Sequence, residues 1–410
     1  MTTTINNEHK KLNVPNLRFP EFQGEWKRTI FKNVITLQRG SSPRPIIEYV
    51  TTSDDGVNWI KIGDMPHFGR IVTSTEEKIT KEGAKKSRQV NKGDLILSNS
   101  MSYGLPYIMG IDGYIHDGWY VLKNFENTFD KDYLCNLLIS RAIQNQYKRL
   151  AAGGVVQNIS SDLVNSVSVS IPTMMEQKKI SSLLNLIDER IATQNKIIDK
   201  LQSLIKGLND TLYAQHSDEV MTSFAELGTS YSGLSGKSAQ DFGSGKPFIT
   251  YLNVYSNNII NKNDFQYVAI KDGEKQNIVE YGDVLFTLSS ETPNEVGIGS
   301  VFLGKEKVYL NSFCFGIHIT NKEVAFSPYL SYYVSSTAFR KFIYPYAQGS
   351  TRFNLCKADF EKASIKLPTL ENQKRIYSIL SHIDNKIITE RQMLDLYNSQ
   401  KQYLLRQMFI

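Results

Sequence analysis

Six histidines, His9, His67, His116, His216, His318 and His382, are scattered along the 410 residues without the spacing that gathers imidazoles around a metal. Cys135, Cys314 and Cys356 are far apart and odd in number, so they indicate neither a disulfide framework nor a thiolate metal site. The Asn/Asp-Pro-Pro-Tyr/Phe tetrapeptide of amino-methyltransferases is missing, and so is any Pro-Asp dipeptide of the common carboxylate-lysine nuclease motif. Gly233-Leu234-Ser235-Gly236-Lys237-Ser238 ends like a phosphate loop, but Tyr231 stands where that loop needs its first glycine. No catalytic residue and no metal-ligand set follows from these side chains, although a Ser/His/Asp arrangement brought together by the fold is not excluded by sequence.

The chemistry the residue types do allow is contact with a polyanion and reading of polar edges. Lys78, Lys81, Lys85, Lys86, Arg88 and Lys92 form a basic run suited to phosphate oxygens, with Lys61 and Lys237 as further candidates. A solvated surface is the competing reading of that run. Base edges are read by Asn, Gln, Arg, Ser or Thr on exposed loops, a role that fits Asn99, Ser102, Tyr103, Gln157 and Asn158. In the second half of the chain Thr287, Ser289, Thr292, Asn294, Arg352 and Asn354 fit it too. Asn158 and Asn354 occupy equivalent places in a repeat described next, which suits a shared backbone role as well as recognition. Lys+Arg 47 against Asp+Glu 41 gives a net charge of +6, compatible with a polyanionic partner without requiring one.

What must position these residues is a duplicated chain. The stretch from Ile171 aligns with the stretch from Leu367 at an offset of 196, with 14 of 38 positions identical, including Pro172/Pro368, Gln177/Gln373, Lys178/Lys374, Ile187/Ile383 and Asp188/Asp384. Weaker echoes precede it: Gly93-Asp94 recurs as Gly282-Asp283, Trp59-Ile60 as Phe248-Ile249, and Phe31, Thr36 and Gly40 as Phe224, Thr229 and Gly233. The two tails carry a four-three apolar alternation. In the first it runs through Ile180, Leu184, Ile187, Ile191, Gln194, Ile198 and Leu201, and in the second through Ile376, Leu380, Ile383, Ile387, Glu390, Leu394 and Tyr397. That repeat predicts a coiled-coil seam, and neither helix can bury its stripe alone. An antiparallel pair is expected, with Gln194 facing Glu390 to fix register. A helix of about 35 residues is about 50 Å long, the span of about fifteen base pairs. Each block before a tail reads as mixed α and β. Strands are expected at Trp59–Ile62, Asp94–Leu97, Tyr107–Met109, Tyr120–Leu122, Phe248–Leu252, Val284–Leu288 and Phe313–Ile319, and helices at Asp130–Arg149 and Ser327–Tyr344.

The whole pattern resembles the specificity subunit of type I restriction–modification systems. Pro172…Gln177-Lys178-Lys179-Ile180 and its copy Pro368…Gln373-Lys374-Arg375-Ile376 carry the resemblance, together with the opening Asn13-Val-Pro-Asn-Leu-Arg-Phe-Pro-Glu-Phe…Trp26. The resemblance implies an α+β fold: two mixed α/β target recognition domains, separated by two long antiparallel coiled-coil helices in a pseudo-twofold internal repeat. The expected parts are a tail at 1–15, recognition domains at 16–172 and 217–368, and spacer helices at 173–216 and 369–410. It further implies double-stranded DNA, two methyltransferase subunits and motor-nuclease subunits as partners. S-adenosylmethionine, ATP and magnesium are then expected on those partners, with no cofactor and no catalysis on this chain. A coiled-coil adaptor without DNA recognition, or an enzyme with an unrecognised site in each block, are the competing classes. Apolar residues at 41% and charged residues at 21% suit a soluble globular chain. The start MTTTINNEHKK lacks the apolar core of a signal peptide, and no apolar run reaches about eighteen residues, so a cytoplasmic, non-membrane protein is expected.

Overall fold

The computed structural model describes residues 12–66, 68–100, 104–150, 158–214 and 219–410. The chain forms two compact units, one from Met1–Lys196 with Arg391–Ile410 and the other from Ile197–Glu390. Two long helices, Met174–Ala214 and Leu370–Gln407, each give one part to either unit.

Within the first unit there are two five-stranded sheets, one of which shares a core with the start of the first long helix through Leu95, Leu97, Tyr120 and Leu122. One sheet runs Thr36–Arg39, Trp119–Lys123, Leu95–Ser98, Pro106–Met109, Ile71–Val72; the other runs Val50–Thr51, Glu77–Ile79, Val57–Ile60, Gly113–Ile115, Arg88–Val90. In the second unit Gly228–Ser232, Cys314–Ile319, Val284–Thr287 and Gly299–Val301 repeat the first four strands of the former sheet in the same order. The duplication extends to register. Tyr114 pairs in parallel with Trp59 in the first unit, and Tyr309 pairs in parallel with Phe248 in the second.

The long helices pack antiparallel inside each unit. Leu17 joins Gln407 of the second helix (2.9 Å) and its neighbour Arg18 grips Glu176 of the first (2.8 and 2.9 Å), while Lys401 pairs with Asp188. Residue numbers therefore fall along one helix as they rise along the other. Ile180, Leu184 and Ile187 share a core with Leu404, Leu405, Met408 and Phe409, whose ring stacks on Tyr133 at 5.2 Å. In the second unit Tyr213, at the end of the first helix, donates to the Lys366 carbonyl just before the second begins (3.1 Å). Ile205, Leu208 and Leu212 there pack on the core that contains Ile376 and Leu380. All fourteen residues of the expected seam are buried or half-buried. Gln194 is buried, and Glu390 pairs with Lys386 one turn earlier on its own helix.

The Pro-Thr…Gln motif is a clamp built twice. Gln177 accepts from the Asp130 N–H (2.9 Å) and donates to the carbonyls of Thr128 and Pro172 (2.9 and 3.1 Å). Gln373 accepts from Phe326 (2.8 Å) and donates to Val324 and Pro368 (2.7 and 2.8 Å), every partner displaced by 196. Both glutamines are 1 % exposed or less, so their amides depend on these partners rather than on water. The opening motif has no second copy, and neither has its anchor. Arg18 and the Trp26 ring N–H converge on Glu176, where the second helix carries Asn372.

Polar residues shorten several expected elements. Ser140 divides the first expected helix into Lys131–Ile139 and Arg141–Leu150. Ser336, 196 residues later, lies between Ser327–Tyr333 and Thr337–Ile343 and caps the latter by accepting from Phe339 (3.1 Å). The strand expected to reach Leu252 stops at Ile249, because Thr250 caps the helix Tyr251–Ser256 through Asn253 (3.1 Å). Likewise the strand expected to reach Ile62 stops at Ile60, where the Asp64 carboxylate accepts from the Lys61 N–H (2.6 Å) and starts a tight helical turn.

Candidate nucleic-acid interface

The Gly-Asp echo makes the same turn in both units. Gly93 and Gly282 adopt φ of +92° and +93°, which favours glycine, and each following aspartate accepts from the backbone three residues before it. Their remaining partners differ. Asp94 takes Lys123 (2.5 Å), whereas Asp283 takes the His318 ring (2.9 Å) and the Tyr231 hydroxyl (2.6 Å), and burial pushes its carboxyl up.

Above these turns three segments meet in a junction whose backbone is also repeated. In the first unit Asn99 donates to Gly118 (2.9 Å) and accepts from Ile159 (2.9 Å), and the Ser98 hydroxyl accepts from Leu105 (2.9 Å). In the second Leu288 donates to Phe313 (2.9 Å) and accepts from Leu355 (2.8 Å), and the Thr287 hydroxyl accepts from Ile298 (3.0 Å). A common scaffold thus presents different side chains. Beside the first junction lies a cavity of about 440 Å³ lined by Leu37, Arg39, Asn99, Tyr120 and Asn158. A larger one, of about 980 Å³, is lined by Arg44, Trp59, Lys61, Ser100, His116 and Asp117. Arg44 pairs with Asp117 at 3.0 Å, and the other oxygen of that carboxylate accepts from the Ser42 hydroxyl (2.8 Å). Beside the second junction stand Phe313, Arg352, Asn354, Thr292 and Asn294, all exposed.

The expected contact residues divide accordingly. Lys85, Lys86 and Arg88 are exposed; Lys86 lies over the Tyr49 ring at 4.5 Å and Arg88 reaches the Arg39 carbonyl at 3.2 Å. Lys61 pairs with Glu77 at 2.7 Å, and Asn158 is exposed. Thr292 donates to Glu295 (2.9 Å), and the Asn294 carbonyl accepts from Arg340 (2.7 Å). Ser102, Tyr103 and Gln157 lie outside the described residues. Four expectations are corrected by burial. Thr287 is fully buried and supports the junction, Ser289 is 5 % exposed within a strand, and Asn99 gives its amide to the Asp117 carbonyl (2.9 Å). The Lys237 side chain is 6 % exposed and held by Glu274 (2.6 Å), whose carboxyl it pulls down to about 2, and by the Ala269 carbonyl (2.6 Å). No group of histidine, cysteine and carboxylate side chains suited to a metal occurs among the described residues.

Phe313 was missed because the β-rich run from Phe313 to Ile319 reads as strand, whereas the strand starts at Cys314. The contrast with Gly118, its counterpart at the first junction, is the signal that marks it. Arg44 was missed inside Ser-Pro-Arg-Pro, a sequence that indicates only a turn.

The family model for the type I restriction modification DNA specificity domain matches residues 24–203 and again 232–396. The chain belongs to that family. Among relatives of this specificity chain, the inferred type I restriction enzyme MjaX specificity subunit of Methanocaldococcus jannaschii is 23% identical, over 93% of this chain and 92% of its own length. The type I restriction enzyme MjaVIII specificity subunit of the same organism is 22% identical, over 74% and 75%. Among solved structures, the S subunit of a type I restriction-modification system from M. genitalium aligns with a TM-score of 0.52 at 14% identity, covering 97% of this chain and 99% of that one. A chain from a study of complex assembly and conformational transition in the type I R-M system aligns with a TM-score of 0.59 at 15% identity, covering 93% and 96%. These likenesses place the specificity chain in a fold seen before. No described helix is long and apolar enough to cross a membrane.

Proposed function

We propose that this chain directs a type I restriction–modification complex to its DNA, each unit reading one half of an interrupted target. The observation that carries the reading is the repeated junction, one scaffold offering different polar and aromatic groups in the two copies. In this reading the long helices set the gap between half-sites and dock two methyltransferase subunits. Leu186, Leu204, Ile388 and Leu396 support the docking role, being 47 to 65 % exposed on helices whose seam is already filled. Motor-nuclease subunits complete the assembly in the cytoplasm. The chemistry, with S-adenosylmethionine, ATP and magnesium, resides on those partners, and this chain contributes recognition alone.

Mapping the sites methylated by the complex reconstituted with its methyltransferase subunits tests the reading, and a bipartite motif is the expected result. Methyl transfer by this chain alone, or affinity for duplex DNA that does not fall with salt, would contradict it. Changing Lys85, Lys86 and Arg88 together to alanine is expected to weaken binding to all sequences alike. The slope of log affinity against log salt should then drop by about 0.9 for each phosphate no longer neutralised, about 2–3 in all. An unchanged slope would make the run a solvated surface.

A further inference from the structure

Arg352 sits in the hairpin turn between the strands Ala347–Gln348 and Phe353–Leu355, beside the second junction. Its guanidinium lies 5.9 Å from the centre of the Phe313 ring, and that ring is itself 55 % exposed. Phe313 is held in turn: its N–H donates to the Asn311 side chain (2.9 Å) and its carbonyl accepts from Leu288 (2.9 Å). Gly349 closes the hairpin at φ +137°, where a Cβ would meet the Arg352 carbonyl at 2.2 Å. The arginine is thus oriented by a ring and a tight turn. Among the described residues, no acceptor takes a hydrogen bond from its guanidinium and no carboxylate pairs with it. By contrast Arg340 gives its donors to the carbonyls of Asn294, Val296 and Gly297, and Arg18 gives its own to Glu176.

We propose that Arg352, positioned by Phe313, is a specificity-determining residue that reads a guanine in the half-site of the second unit. An oriented planar fork with free donors matches the two acceptors that guanine presents in the major groove, O6 and N7. The first copy of the repeat carries Val156 at the equivalent position, so the two units offer different chemistry there. Exposed Asn354, two residues on, adds an amide of the kind that reads adenine. The assignment rests on the proposed function, whose failure shows first, as a wild-type complex without a bipartite motif.

The test uses the complex reconstituted with its methyltransferase subunits, duplexes carrying the mapped target, and 7-deazaguanine placed at each guanine in turn. For the wild type, one 7-deazaguanine in one half-site should weaken binding about 3- to 10-fold, since it removes N7, one of the two acceptors of the bidentate contact, and leaves O6. Arg352→Ala should bind the natural and modified duplexes equally and accept other bases at that one position. Arg352→Lys should keep most of the affinity and only part of the discrimination, because an ammonium can still donate to O6 or N7 but lacks the rigid fork. The other half-site should be unaffected in both variants. Arg352→Ala retaining full discrimination at every guanine overturns the assignment, and so does a loss of affinity shared equally by target and non-target DNA.

Discussion

Replacing Gln373 by leucine is expected to lower the stability of the second unit by on the order of 3–6 kcal/mol, measured as a shift in the denaturant midpoint of the purified chain. The magnitude follows from counting what is left behind. One half-buried N–H, from Phe326, one half-buried carbonyl, from Val324, and one buried carbonyl, from Pro368, lose their partner at once. Each orphaned buried group costs about 1–3 kcal/mol, towards the lower end for the two half-buried ones, and a leucine in the fully buried place of Gln373 offers none of them a partner. Gln177→Leu is expected to act in the same way on the first unit, through Asp130, Thr128 and Pro172. A loss below about 1 kcal/mol in either variant would mean that the clamp does not hold the helix start.

The clamp also marks where sequence reasoning succeeded and where it stopped. The repeat was legible in the tails because both helices bury the same stripe, so Ile180/Ile376, Leu184/Leu380 and Ile187/Ile383 stay apolar in both copies. Gln177 and Gln373 were legible as an identity, but their role was not, because their partners are backbone groups of distant loops. The blocks diverge for a related reason. The junction is held by main-chain bonds, which Asn99 and Leu288 make equally well, and its one side-chain trace is a hydroxyl, Ser98 in one copy and Thr287 in the other, too common a feature to mark it. Candidate contacts chosen by polarity alone therefore included Thr287 and Ser289, whose hydroxyl-bearing side chains are buried in the sheet region. Phe313 and Arg44 were passed over because exposure, which sets them apart, is a property of the fold.

Inserting one heptad into each long helix, after Lys196 and after Glu390, is expected to lengthen the gap between half-sites and leave both half-sites unchanged. These points are where each helix passes from one compact unit to the other, so neither unit is interrupted. Seven residues restore the phase of the apolar seam and add about 10 Å of rise. The gap should therefore grow by at most about three base pairs at 3.4 Å each. An insertion of two residues would turn the stripe away from its partner and is expected to abolish specific methylation instead. Mapping of methylated sites separates the outcomes: a heptad variant active at the original gap would remove the helices from spacing.

The most direct measurement exchanges residues 16–172 for the matching block of another family member and maps methylated sites in cells supplying the methyltransferase subunits. Independent reading by two units predicts a new sequence in one half of the target and the original sequence in the other. A change in both halves, or in neither, would contradict it.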